Sequence, residues 1–179
     1  MTCEISIAGF GGQGVLFLGK LLAFAGLYAG YEVSWMPSYG AEMRGGTANC
    51  SVILSDEPIG SPCVDAPDIL IAMNDPSFRR FAPGVKPGGL ILANGSMVSA
   101  VTERTDLRTV YLSATETAIA NGIEKSANLI MAGYLFRELS FLPDGAIGKA
   151  LQKCTPAGKP PLLEAGQKAL AIGKNQGIK

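Results

Sequence analysis

Two stretches of this sequence carry residue types suited to gripping a ligand. The first is Gly9-Phe10-Gly11-Gly12-Gln13-Gly14, which follows the short apolar run Ile5-Ser6-Ile7-Ala8 and leads straight into a long apolar segment, Val15 to Tyr28. That order reads as strand, glycine turn, helix. Gly9, Gly11 and Gly14 satisfy dinucleotide-type spacing: one glycine makes the tight turn, one lets the backbone approach a phosphate, and one lets helix and strand pack closely. Unpaired amides at the helix start, together with the helix dipole, favour an anion above the turn. Phosphate is the natural guest, and Gly9, Gly11, Gly12, Gln13 and Gly14 are the candidate cofactor-binding residues. The same pattern also fits a tight strand-to-helix turn that meets a partner chain or holds nothing.

The second stretch is Pro37-Ser38-Tyr39-Gly40-Ala41-Glu42-Met43-Arg44-Gly45-Gly46, a glycine-rich loop with one acid and one base inside it. A guanidinium in such a loop can clamp a carboxylate or phosphate bidentately; an ion pair of Arg44 with Glu42 or with an acid elsewhere is the equally weighted alternative. In an open parallel sheet, ligands bind beyond the carboxyl ends of the strands. The glycine turn, the Ser38–Gly46 loop, Asn74 with Asp75, and Asn94 with Ser96 all follow strand candidates, so they are expected along one edge. Tyr39, Glu42, Arg44, Asn74 and Asn94 are therefore candidates for ligand or subunit contact, although asparagines at such places are commonly turn formers and Tyr39 and Trp35 read as packing residues.

Several chemistries are excluded or disfavoured. No lysine followed by Ser or Thr closes the glycine run, since Lys20 lies within the helix and precedes Leu21, so it is not a P-loop. An NAD fold wants a carboxylate at the end of the second strand for the ribose hydroxyls; Glu32-Val33-Ser34-Trp35-Met36 has its acid at the start. The chain has no histidine, which removes histidine general-base chemistry and any Ser-His-Asp triad. Cys3, Cys50, Cys63 and Cys154 are scattered without CxxC spacing, so neither a zinc nor an iron–sulfur site is expected in this chain. No catalytic side chain and no metal ligand stands out.

The elements that must position these groups read as an α/β fold: a Rossmann-like, open, mostly parallel sheet with helices on both faces and an antiparallel edge. Residues 15 to 28 are apolar nearly all round with Lys20 as the only charge, which implies burial on two sides. Sheet on one side and another subunit on the other is the preferred arrangement, a later helix of the same chain the alternative. Glu32 to Met36 is expected to return parallel to the first strand through a right-handed crossover. Thr47 to Leu54 reads as a half-exposed strand, Ile59 to Val64 as a short irregular edge strand, Ile69 to Met73 and Leu90 to Ala93 as strands buried on both faces, and Thr109 to Leu112 as the last strand. Asn74-Asp75-Pro76 is expected to open a short helix through Phe78 and Phe81, and further helices are expected at Ala114–Asn121, Asn128–Ser140, Ala146–Lys153 and Leu162–Lys174, punctuated by Pro143 and the Pro160-Pro161 pair.

With 179 residues the chain suits one domain. Fifteen basic and fifteen acidic side chains balance, so no broad attraction to nucleic acid or to an anionic membrane is expected. Only 17% of residues are charged and the mean hydropathy is +0.26, which implies apolar surface buried against partners, or self-association when the chain is alone. The first residues lack the pattern of a secretory leader, and reduced thiols fit a cytoplasmic location.

Taken together, the Gly9–Gly14 turn, the Tyr39–Gly46 loop, Ser61-Pro62, Pro67-Asp68 and Asn128 to Gly133 resemble the gamma subunit of 2-oxoacid:ferredoxin oxidoreductases, over nearly the whole chain. The resemblance implies a hetero-oligomeric enzyme that converts a 2-oxoacid and coenzyme A into acyl-CoA, carbon dioxide and reduced ferredoxin. It places thiamine diphosphate between alpha and beta subunits and iron–sulfur clusters in a ferredoxin-like chain, with this chain inactive when isolated. A glycine turn without the NAD carboxylate suits coenzyme A, whose diphosphate would lie at Gly11 to Gly14. For the oxoacid, 2-oxoglutarate is the first expectation, with pyruvate, branched-chain oxoacids and indolepyruvate open. The competing readings are a stand-alone nucleotide-binding or NAD-dependent protein, and a structural interface subunit.

Overall fold

Continuous apolar runs form the middle of the sheet. In the computed structural model, which describes residues 1–38 and 47–177, β4 (Ile69–Ala72) and β5 (Leu90–Asn94) are buried at every position. Their alternate residues divide between two cores. Ile69, Ile71, Leu90 and Leu92 join the larger cluster, whereas Leu70, Ala72, Ile91 and Ala93 face a smaller one, as the two-residue period of a strand dictates.

Six strands lie in the order β2-β3-β1-β4-β5-β6. β1 (Thr2–Phe10) pairs in parallel with β4, β4 with β5, and β5 with β6 (Arg108–Leu112). β2 (Glu32–Ser38) and β1 run in the same direction but do not touch. β3 (Thr47–Ser55) is inserted between them, antiparallel to both, with Phe10 opposite Thr47 and Ser38 opposite Asn49. The antiparallel component is thus an interior strand, which the crossover reading of β2 did not anticipate. Residues 59 to 64 form no strand: Pro62 lacks a ladder donor, and Gly60 weakens the run. β3 alternates as expected only as far as Ser51; Ile53, Leu54 and Ser55 are all buried.

α1 (Val15–Tyr28) lies on the face of the larger core, and α5 (Asp144–Cys154) packs along it. A second covering of α1 is therefore supplied by the same chain, where a neighbouring subunit was the preferred expectation; Lys20 is exposed along the helix, and Leu27 and Tyr28 at its far end are 54% and 45% exposed. α4 (Ala127–Glu138) fills the same face and crosses α6 (Pro160–Asn175). A Cβ on Gly133 would land on the Leu170 carbonyl oxygen, and one on Gly173 on that of Ile130, so the crossing is backbone against backbone. Pro160 and Pro161 open α6 instead of interrupting it, because the first helical positions need no amide donor. On the opposite face, α2 (Asp75–Phe81) and the 3-10 turn Ala82–Gly84 cover β4 and β5 through Phe78, Ala82 and Val85. α3 (Ala114–Ala120) follows β6 directly.

Candidate functional site

β1, β2, β4, β5 and β6 all end on one edge of the sheet. The chain leaves β1 toward β2 on one side and β4 toward β5 on the other, so the crevice of a doubly wound sheet falls between the ends of β1 and β4. The glycine turn, Asn74 and Asn94 stand at this edge. So do both anchors of the 39–46 loop, Ser38 and Thr47; Tyr39, Glu42 and Arg44 themselves lie outside the described residues.

The glycines of the turn divide their work. Gly12 has φ +96° and Gly14 φ +75°, a region that side-chain-bearing residues avoid. A Cβ on Gly12 would meet nothing within 4 Å, so this part of the turn faces open space. A Cβ on Gly14 would collide with the Asn128 amide, whose Nδ2 donates to the Gly14 carbonyl at 3.2 Å and ties α4 to the start of α1. A Cβ on Gly9 would lie 2.8–2.9 Å from Gln13, Met73 and Val15. Gly14 caps α1 without any side-chain hydrogen bond, and the first turn holds no acid, so the helix start offers its amides and dipole to an anion.

Gln13 locks the turn to the neighbouring strand. Its Oε1 accepts from Phe10 N at 2.7 Å and from Asn74 Nδ2 at 2.9 Å, while its Nε2 donates to Met73 O at 3.2 Å. Both oxygen lone pairs are thus engaged, and one amide hydrogen is left for another acceptor. Asn74 is 2% exposed; its Oδ1 accepts from Ser77 N at 2.9 Å and caps α2. Next to it, Asp75 Oδ1 accepts from Ser99 N and Ala100 N, and Oδ2 pairs with Arg79. These bonds, the Ala100 amide first, hold the Asp75 carboxyl below its ordinary range.

Between the turn and the ends of β4 and β5 lies a cleft of about 210 Å³. Gly12 and Gln13 of the turn line it together with Met73 and Asn94. Thr115, Glu124, Lys125 and Asn128 line it as well, with Met97. Asn94 is 1% exposed and donates from Nδ2 to Thr115 Oγ1 at 2.9 Å, but its Oδ1 has no partner among the described residues. Ser96, also expected at this edge, accepts from Glu116 N at 3.2 Å at the start of α3. The volume falls below the roughly 300–1,000 Å³ of a pocket that swallows a whole small-molecule ligand; it suits one or two phosphoryl groups of a longer molecule.

Thr115, Glu124, Lys125 and Asn128 were not singled out as site residues. Following the rule of strand ends one strand further, past β6, would have reached Thr115, and Asn128 stands in the segment that carries the family resemblance. Nothing local marks Glu124 and Lys125, which the short 3-10 turn Glu124–Ser126 brings in.

A larger hollow of about 420 Å³ lies at the opposite edge, but its charges are already engaged: Lys86 with Glu4 at 2.7 Å and Asp68 at 3.0 Å, and Arg108 with Glu138. Glu32 also sits at that far edge, opposite Ser55, and β3 separates β2 from β1. No carboxylate of β2 can therefore hold a ribose beside the glycine turn, as an NAD site requires. Cysteine chemistry is not set up either. Burial pushes the Cys3 thiol up to about 12 and the Cys50 thiol up to about 11, and among the described residues no three His, Cys, Asp or Glu side chains gather as metal ligands. Trp35 packs on α1 at Gly19 beside Cys50, as a packing residue.

A family model described as pyruvate ferredoxin/flavodoxin oxidoreductase matches residues 4–176. Ketoisovalerate oxidoreductase subunit VorA of Methanothermobacter thermautotrophicus is 40% identical over 171 residues, covering 95% of this chain and 35% of VorA. The chain thus spans about a third of the length of that relative. 2-Oxoglutarate synthase subunit KorC of Methanothermobacter marburgensis is 36% identical over 165 residues, covering 88% of this chain and 89% of KorC. Among solved structures, the gamma subunit of a keto/oxoacid ferredoxin oxidoreductase from Geobacter sulfurreducens PCA superposes with a TM-score of 0.84 at 26% identity, covering 97% of this chain and 94% of that one. With a match that runs through the six strands and six α-helices of the described residues, this chain belongs to the pyruvate ferredoxin/flavodoxin oxidoreductase family.

Proposed function

We propose that this chain, residues 1–179 as one domain, is the gamma subunit of a multi-subunit 2-oxoacid:ferredoxin oxidoreductase. The complex converts a 2-oxoacid and coenzyme A into acyl-CoA, carbon dioxide and reduced ferredoxin. The observation that carries this reading is the likeness to KorC, which extends over 89% of that subunit's length. A stand-alone NAD-dependent protein is disfavoured by the family match and by the separation of β2 from the glycine turn.

The share of this chain in the reaction is binding and orientation. Coenzyme A fits the cleft on two counts: the open backbone at Gly12 and the uncapped start of α1. The amides of Gly11, Gly12 and Gly14 and the free amide hydrogen of Gln13 would hold the diphosphate, and Gly9 keeps the turn against β4. Such a grip fixes the thiol donor relative to the reacting centre, a proximity effect. Thiamine diphosphate and iron–sulfur clusters, which the family's complexes use, belong in this reading to the alpha, beta and ferredoxin-like subunits, since the scattered thiols of the described residues do not gather into a ligand set. Tyr39, Glu42 and Arg44 contact ligand or partner from the loop anchored at the same edge. No helix of the described residues is long and apolar enough to cross a membrane, and a cytoplasmic complex is the setting we assign.

Two relatives are named for an oxoacid that suits this reading, ketoisovalerate for VorA and 2-oxoglutarate for KorC. Purification of the chain from its native cells tests the reading. It is expected to emerge with larger chains bearing thiamine diphosphate and iron–sulfur clusters, and the complex to reduce ferredoxin with one of these acids and coenzyme A. A chain that purifies alone, or turns over an oxoacid unaided, overturns it.

A further inference from the structure

We infer that two copies of this chain join edge to edge through β2, the two Glu32–Ser38 strands pairing antiparallel about a two-fold axis at Trp35, so that one sheet runs through both copies. This goes beyond the function proposed above and does not depend on it.

The direction of the ladder bonds fixes what β2 leaves open. Asp56 N donates to Met1 O, so by the alternation of an antiparallel pair the odd-numbered residues of β1 bond to the even-numbered residues of β3. The even-numbered carbonyls of β1 turn the other way, where Glu4 O accepts from Asp68 N and Ala8 O from Met73 N. The odd-numbered residues of β3 are left for β2, and the register gives them Glu32, Ser34, Met36 and Ser38 as partners. Val33, Trp35 and Pro37 therefore point their main-chain groups out of the sheet, as two amides and three carbonyls, since proline has no N–H. No strand of the described residues pairs with this border. It carries no Lys or Arg to blunt it, whereas β6, the other edge, is shorter and opens on Arg108.

Pro37 guards the edge against a chance strand, and the same strand in two-fold register meets it without loss. With Trp35 opposite Trp35, these two residues exchange both bonds, and each Val33 amide donates to the Pro37 carbonyl across the axis. Every outward amide is then paired, and only the Val33 carbonyls lack a donor, the cheaper omission. Side chains match as well. Val33 and Trp35 pack on α1 at Gly26 and Gly19, with Pro37 in the same row, and the pairing lays this apolar row against its own copy. Glu32, the one charged residue of β2, falls opposite Ser38, which keeps the two carboxylates at opposite ends of the pair. Leu27 and Tyr28, which follow Gly26 at the Val33 end of α1, and Met36 on the other face of β2 are exposed apolar side chains that α5 leaves uncovered. A second copy on this edge gives them cover.

Sedimentation of the full chain between about 1 and 100 μM, where small interfaces associate, is expected to show reversible pairing. The mass should rise to twice the 18.6 kDa of one copy. Amide hydrogen exchange, resolved to single residues by mass spectrometry at both ends of that range, locates the contact. Val33 and Trp35 are expected to exchange freely in the dilute sample and about tenfold or more slowly in the concentrated one, while Ser34 and Met36, bonded to β3, are protected in both. Val33→Pro removes one outward amide from each copy without touching the ladder to β3. Two main-chain bonds are lost at once, so the dimer Kd should rise about tenfold or more, with circular dichroism checking the fold. The exchange measurement needs no substitution, so it decides the matter even where Val33→Pro does not fold. A chain that stays monomeric over the whole range overturns the inference. So does a dimer in which Val33 and Trp35 exchange as freely as in the single copy, since its contact then lies on another face. Neither result bears on the function proposed above, which co-purification decides.

Discussion

Gly14→Ala probes whether the glycine turn is held where the structure places it. At φ +75° the new Cβ costs roughly 1–2 kcal/mol in backbone energy. It also meets the Asn128 amide head-on, so Asn128 must swing away from the Gly14 carbonyl, with a lost hydrogen bond worth about 1 kcal/mol. The sum is about 2–3 kcal/mol, which at a urea slope near 2 kcal/mol/M lowers the unfolding midpoint by roughly 1–1.5 M. Gly12→Ala carries the same backbone strain without the collision, since nothing lies within 4 Å of its Cβ, and is expected to cost only about 1–2 kcal/mol. In an Asn128→Ala background the extra cost at Gly14 disappears, so the double-mutant cycle yields a coupling of about 1 kcal/mol or more. Urea unfolding of the four variants, followed by circular dichroism, reads all of this. Equal losses at Gly12 and Gly14, or additivity with Asn128→Ala, refutes the contact.

Other elements make separate predictions. Gly133→Ala and Gly173→Ala each drive a methyl into a backbone carbonyl of the facing helix, which cannot rotate away, so each is expected to destabilise by about 3 kcal/mol in the same assay; a loss below 1 kcal/mol would mean that α4 and α6 do not cross at these glycines. Asp75 has a carboxyl depressed chiefly by the Ala100 amide, then by Ser99 and Arg79, so its stabilisation is complete above the unfolded value near ~3.9 and is lost as pH falls through the lower folded value. Hydrogen exchange at Ser99 and Ala100, corrected for intrinsic rates, should therefore accelerate only in acid below pH ~4, and Asp75→Asn should abolish that dependence. At neutral pH a thiol reagent should modify exposed Cys63 first and spare Cys3 and Cys50, whose burial keeps them as thiols; equally fast labelling of Cys50 by peptide mass spectrometry contradicts its place beneath α1.

Most of the fold was legible because its strands and helices differ in period. The uninterrupted runs at Ile69 and Leu90 have the length and composition of strands buried on both faces, and the glycine turn sits where its spacing puts it. Sheet order was not legible, since nothing in Glu32–Met36 announces that Thr47–Ser55 will pair between it and β1; strand partners are chosen by non-local packing. Composition indicated that α1 needs cover on two sides, but not that α5, more than a hundred residues later, supplies it. At the site, the sequence supplied the residues at the ends of β1, β4 and β5. Asn74 and Gln13 then proved to be bonded mainly to each other and to the backbone, a relation across 61 residues that no local pattern encodes. Lys125 and Glu124 reach the cleft only through the packing of α4.

The central claim, that the glycine turn of this chain holds coenzyme A for the complex, is tested most directly by Gly12→Asp in the assembled enzyme, with Gly12→Asn as its neutral control. Both side chains tolerate a left-handed backbone, and the space beside Gly12 is open, so assembly and fold should survive. A carboxylate within about 5 Å of the diphosphate should raise the KM for coenzyme A at least tenfold, even after screening by solvent, while kcat and the KM for the oxoacid stay near their original values and Gly12→Asn changes little. An unchanged KM for coenzyme A in Gly12→Asp would place the ligand elsewhere and contradict the account.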